Sequence, residues 1–223
     1  MAGFKTHSSV GIATGFILMI GSYMLGIITS LTVAVLVFVN TAIGSFLPDL
    51  DSDSGVPVKI LFGFYALVAA GIAFFITYNL TNENVIASFA APLIAFLLFN
   101  FALPPLFKKL TKHRGMFHSI PAILISFLFI FLVLNLVNIP ILDRFIMAFA
   151  VAIGYFSHLL LDEIFSTQIL SGKFKPKKSL GTALKFASQS KKMNIAIYIL
   201  FFILLALNFP MLLKVVKLLK TIL

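Results

Sequence analysis

No cysteine occurs in the 223 residues, which removes disulfides, thiolate metal ligands and a cysteine nucleophile together. Any metal here has to be held by nitrogen and oxygen. Tryptophan is missing, and histidine is scarce at four residues. Charge is sparse too. Asp, Glu, Lys and Arg make up 11% of the chain against 61% hydrophobic residues, and a mean hydropathy of +1.11 excludes an ordinary soluble domain. The alternating apolar and polar pattern of a membrane β-barrel is absent as well. What remains is an all-α, polytopic transmembrane helix bundle, because backbone groups in lipid must be paired within their own segment.

Apolar runs able to cross a hydrocarbon core of about 30 Å recur along the whole length. They cover residues 10–28, 31–47, 58–78, 85–103, 120–137, 141–161 and 194–213. The last either crosses the bilayer or lies on it, so six or seven helices are expected. A Lys ahead of the first run fits a signal peptide, but the run is longer than a usual h-region and no A-x-A cleavage site follows. It reads as a retained span. One integral membrane domain, residues 1–223, is expected, with a core over 5–165, a basic segment over 163–192 and an apolar helix over 194–213.

The net charge of +10 resembles a nucleic-acid footprint, but its distribution argues otherwise. With the N-terminus inside and the spans alternating, every Lys and Arg falls inside except Arg144, Lys214, Lys217 and Lys220. That is a cytoplasmic membrane edge, and it carries no aromatic stacking platform, so nucleic acid is not an expected partner. The three C-terminal lysines return to the inside if the last apolar run lies flat. The same alternation places His7, Asp49, Asp51, His113, His118, His158 and Asp162 at one membrane boundary, although they come from four places in the sequence. Ionisable groups near bilayer depth are costly and usually face a cavity or one another. Polar residues also mark helix ends without any function, but that does not explain why no His falls on the other side.

In Gly154-Tyr155-Phe156-Ser157-His158-Leu159-Leu160-Leu161-Asp162 the imidazole and the carboxylate lie four residues apart and share one helical face. A lone His and Asp there would read as a polar helix end. Together with the other donors they form a nitrogen and oxygen ligand set of the kind catalytic zinc uses. Two ions about 3.5–4 Å apart need some six or seven such groups, and one ion with outer partners needs fewer. The run Asp49, Asp51, Asp53 competes as a calcium loop. Ser54 stands where that loop needs Gly and Ile60 where it needs Glu, so it fails at both places. Asp53 fits a turn better than a ligand. In His113-Arg114-Gly115-Met116-Phe117-His118-Ser119 both histidines can turn inward about Gly115. Arg114 suits phosphate oxygens, and equally suits a headgroup anchor. Gly44 and Gly154 stand in similar surroundings, either for close helix packing or as a faint internal repeat.

The segments Leu47-Pro48-Asp49-Leu50-Asp51, His113 to Ser119 and Gly154 to Asp162, with the early His7, resemble the YdjM-type family of bacterial and archaeal inner-membrane proteins, described as metal-dependent hydrolases. The match runs from about His7 to Asp162. That family is distantly similar to the zinc-dependent phospholipase C and single-strand nuclease superfamily, whose pattern is an early His, an Asp, a further His and a helical H-x-x-x-D. The resemblance implies phosphoester hydrolysis by metal-bound hydroxide, with Zn2+ or another divalent ion held by His7, Asp49, Asp51, His113, His118, His158 and Asp162. It implies Asp51 and His118 beside the metal-bound water as catalytic groups, and Arg114 with Lys112 on the substrate phosphate. Two departures from the superfamily reduce the metal count. The N-terminal Trp ligand has no equivalent here, and the later His and Glu ligands have no counterpart after Asp162, so one or two ions are expected rather than three.

A site at the bilayer surface can reach a headgroup without extracting the lipid, so a phospholipid or polyprenyl phosphate is the expected substrate and the bilayer the expected partner. The expected location is the inner (plasma) membrane, multi-pass, with the site facing the cytoplasm. The basic segment would favour anionic headgroups, or serve only to set topology. A transporter would place its ionisable groups nearer the midplane. A non-catalytic scaffold would close its metal site completely.

Overall fold

The computed structural model describes residues 3–51, 56–80, 84–110, 117–170, 173–176, 180–188 and 190–222. Helices α1 (Phe4–Met24) and α2 (Leu31–Gly44) come first, followed by a 3-10 turn at Leu47–Asp51. α3 (Val56–Leu80) and α4 (Val85–Leu97) follow, and α4 runs through a π turn (Leu98–Ala102) into α5 (Leu103–Leu110). Then come α6 (Ile120–Leu134), α7 (Ile141–Phe165), a hairpin of β1 (Thr167–Leu170) with β2 (Lys173–Pro176), and α8 (Lys191–Ile222). The hairpin is a small addition to the all-helical architecture expected, set within the basic segment.

Local signals account for several boundaries. The side chains of Ser30, Asn84 and Ser119 accept from the backbone N–H three residues on, capping α2, α4 and α6. Pro121 sits in the first turn of α6, where its missing N–H costs nothing. Gly26 takes a φ of 67°, the left-handed conformation that turns the chain from α1 into α2.

Five described helices are long and apolar enough to cross a membrane, over Leu31–Asp49, Phe62–Asn79, Val85–Leu106, Ile141–Phe165 and Lys191–Thr221. The other two expected spans fall short for different reasons. α1 starts at Phe4 rather than near residue 10, which brings Lys5, Thr6, His7, Ser8 and Ser9 into its first turns. α6 has 15 residues and reaches only about 22 Å at 1.5 Å per residue.

The chain divides into two compact units, Met1–Pro48 with Met116–Leu223, and Asp49–Gly115. In the second, α3 packs along α4 and its continuation, Phe74 meets Phe89 edge to face, and most of the remaining surface is apolar and exposed. In the first, α7 is the central helix. It touches α1, α2, α6 and α8, and 56% of its span is buried against 6% for α3 or α4.

Contact between α2 and α7 is at backbone distance. A Cβ on Gly154 would collide with the carbonyl of Thr41, and one on Gly44 with the carbonyl of Val151. A Cβ on Gly11 of α1 would strike the Ser45 side chain. The similar settings of Gly44 and Gly154 thus reflect close packing. α8 traverses this unit from end to end. Near its start, Tyr198 donates to the Phe186 carbonyl, and towards its finish Val215 packs with Ile141 and Phe145 at the beginning of α7. Lys214, Lys217 and Lys220 therefore stand on the continuing helix at the end opposite Asp162.

Candidate metal centre

Four side chains meet at one end of the first unit. His7 sits in the first turns of α1, His118 just before the Ser119 cap of α6, and His158 and Asp162 in the last turns of α7. Ser45, the residue that closes α2, is at the same end. An α1 start, an α2 finish, an α6 start and an α7 finish coincide there because the glycine contacts let α1, α2 and α7 approach closely.

His7 Nε2 lies 3.3 Å from Asp162 Oδ1, and His118 Nε2 lies 3.5 Å from Asp162 Oδ2. His158 Nε2 is 3.9 Å from the same Oδ2. The rings of His7 and His158 stack at 3.6 Å with 10° between their planes, while His118 stands edge-on to His158 at 5.8 Å. All four residues are no more than 2% exposed.

The ring of His158 is oriented by α2. Its Nδ1 is 2.7 Å from the backbone carbonyl of Ser45. A carbonyl only accepts, so Nδ1 carries the proton and the lone pair of Nε2 is directed at Asp162. A histidine whose far N–H is tied to a carbonyl is the usual form of a metal-binding imidazole. His118 is steadied from α7, where the Tyr155 hydroxyl donates to the Phe117 carbonyl at 2.6 Å.

Neither carboxylate oxygen of Asp162 accepts a well-formed hydrogen bond from the described residues, and His7 Nδ1 also lacks a partner among them. A buried carboxylate is expensive unless strong donors or a cation compensate it. Tetrahedral zinc, with ligands about 2.0–2.1 Å away, sets its donors about 3.4 Å apart. The three imidazole-to-carboxylate distances are close to that spacing, and one nitrogen each of His7 and His158 lies within 4.8 Å of the other and of an Asp162 oxygen. His7, His158 and Asp162 therefore fit a divalent ion, with His118 beside the same carboxylate.

Of the seven expected ligands, His7, His118, His158 and Asp162 belong to the first unit and meet within it. Asp49 and Asp51 stand on the 3-10 turn at Leu47–Asp51, with Asp49 half-buried. Lys112, His113 and Arg114, like Asp53, lie outside the described residues. Sequence reasoning missed Ser45 and Tyr155. Ser45 acts through a backbone carbonyl, which no side-chain pattern signals, whereas Tyr155 lies inside the quoted motif three residues before His158 and was a detectable neighbour. A family model described as YdjM inner membrane protein matches residues 1–215. No curated protein and no solved structure matches the chain.

Proposed function

The chain belongs to the YdjM inner membrane protein family, and from that premise we propose that it is a membrane-bound, metal-dependent hydrolase that cleaves a phosphoester of a lipid-linked substrate. The observation that carries this reading is the convergence of three imidazoles and one carboxylate, from separate parts of the sequence, buried together at one end of the helices. His7, His118, His158 and Asp162 would hold the ion. A bound divalent ion such as Zn2+ supplies a Lewis acid that activates water near neutral pH and offsets charge on phosphoryl oxygens. The protein's own part is orientation and exclusion. Ser45 fixes the tautomer of His158, Tyr155 holds the backbone beside His118, and the surrounding helices keep bulk water from the carboxylate. A cluster at a helix-bundle end, rather than midway along α7, suits a substrate presented at the headgroup layer, and we place it on the cytoplasmic side.

One observation favours a second reading. All four donors are almost completely buried, as in a closed structural metal site that staples α1, α6 and α7 together.

Metal analysis of the purified protein beside an Asp162→Asn variant, followed by assay of both on a panel of phospholipid and polyprenyl phosphoesters, separates the readings. Hydrolysis lost together with the metal in the variant supports the enzyme. Stoichiometric metal with no turnover on any lipid supports the staple, and absence of metal from the wild type overturns both.

A further inference from the structure

The motif around His158 ends at Asp162, but the next residue, Glu163, does something the metal reading leaves unused. Its carboxylate gathers backbone N–H groups from the stretch Gly181 to Leu184. Oε2 accepts from Gly181 N at 2.9 Å, and Oε1 accepts from Ala183 N and Leu184 N at 3.3 and 3.4 Å. Gly181 has a φ of 77°, a conformation that residues with a Cβ rarely adopt and that lets the chain curl round a single carboxylate. Ala183 is 4% exposed and packs with Ala122, Ile123, Tyr155 and Leu159, which fastens the strap onto α6 and α7. Two residues further on, the Lys185 carbonyl accepts from Ile120 N at 3.0 Å, in a parallel bridge with Ser119. Ser119 is the neighbour of His118. The strap thus joins the residue after one candidate ligand to the residue after another.

Resting on the metal-centre reading above, we infer that Glu163 is a positioning residue: it clasps the strap of residues 180–185, and the strap holds the start of α6 so that His118 stays directed at Asp162. Charge-assisted hydrogen bonds from backbone N–H groups to a carboxylate are among the stronger ones available, and the two acceptor oxygens serve all three N–H groups, with the Ser166 hydroxyl also donating to Oε2 at 3.3 Å. Glutamine at this position keeps one acceptor oxygen and turns an NH2 towards a backbone N–H. It should therefore hold only part of the clasp.

The test uses the full chain in detergent with Co2+ as a visible probe of the site, comparing wild type, Glu163→Ala, Glu163→Gln and His118→Ala. Amide hydrogen exchange is measured on the same metal-free proteins. Glu163→Ala is expected to raise exchange over residues 117–122 while leaving residues 31–44 unchanged. It should weaken Co2+ binding about 10-fold, at the lower end of the usual outer-partner range, and shift the Co2+ absorption towards that of His118→Ala. Glu163→Gln should fall between, and serves as the readout if the alanine variant does not fold.

Unchanged exchange over 117–122 overturns the proposal. So does a wild-type Co2+ spectrum in Glu163→Ala where His118→Ala alters it, or a His118→Ala spectrum equal to wild type. If the wild-type protein takes up no Co2+, the metal reading fails by itself, and exchange alone then decides whether Glu163 holds the His118 backbone.

Discussion

Asp162 is the common neighbour of three imidazoles, so its replacement tests the centre most directly. Asp162→Asn keeps the volume and removes the charge. We expect divalent-metal affinity to fall by about 100-fold or more, beyond the 10–100-fold typical of outer partners, as measured by equilibrium dialysis. An affinity within a few-fold of wild type would remove Asp162 from the ligand set. His7→Ala is expected to act similarly, although His7 is far from the others in sequence, because its ring lies 3.6 Å from that of His158. Much of this was legible beforehand: the chain has four histidines, each where an apolar run meets a polar segment, which leaves few ways to use them. The partner of His158 Nδ1 was not legible, since a backbone carbonyl of α2 is chosen by helix packing and not by the identity of Ser45.

At the scale of the helix, the centre exists because α2 and α7 touch through glycine. Gly154→Ala places a methyl group against the Thr41 carbonyl, which can move away only if the helices part. Overpacking of this kind costs about 1–3 kcal/mol. The expected result is a lower Tm in detergent together with weaker metal binding, because Gly154 lies one turn before His158. Loss of neither would show that the two helices tolerate a wider separation. Gly154→Ala and Gly44→Ala are expected to be less than additive, since both open the same contact. The sequence displayed both glycines in matching surroundings, but a glycine in an apolar helix is compatible with lipid contact, bending or packing. The two carbonyls that fill the missing Cβ positions, those of Thr41 and Val151, became apparent only in three dimensions. The first span was mis-set for a related reason: apolar composition weakens before residue 10, while the helix itself continues back to Phe4.

For the whole molecule, the decisive question is which end faces which compartment. The absence of cysteine makes the chain a clean background for thiol labelling. Lys5→Cys reports the end that carries the cluster, and Lys217→Cys reports the far end of α8. Both positions are exposed. In intact cells a membrane-impermeant maleimide is expected to label position 217 and spare position 5. The reverse pattern would turn the centre outward, and equal labelling of both would mean that α8 does not cross. Composition alone established the helical membrane class. Whether α8 crosses was left undecided because its terminal lysines conflict with the inside bias of the others; Val215 clusters with residues at the start of α7, and the labelling decides the crossing. Removal of metal should also register on the molecule as a whole. A strong chelator is expected to lower Tm by several degrees in the wild type and not in Asp162→Asn, because an ion bound only in the folded state adds its binding free energy to stability. The near-complete enclosure of the four donors has a temporal corollary. An ion seated there could enter or leave only as neighbouring helices part, so its exchange half-life would serve as a clock for that separation.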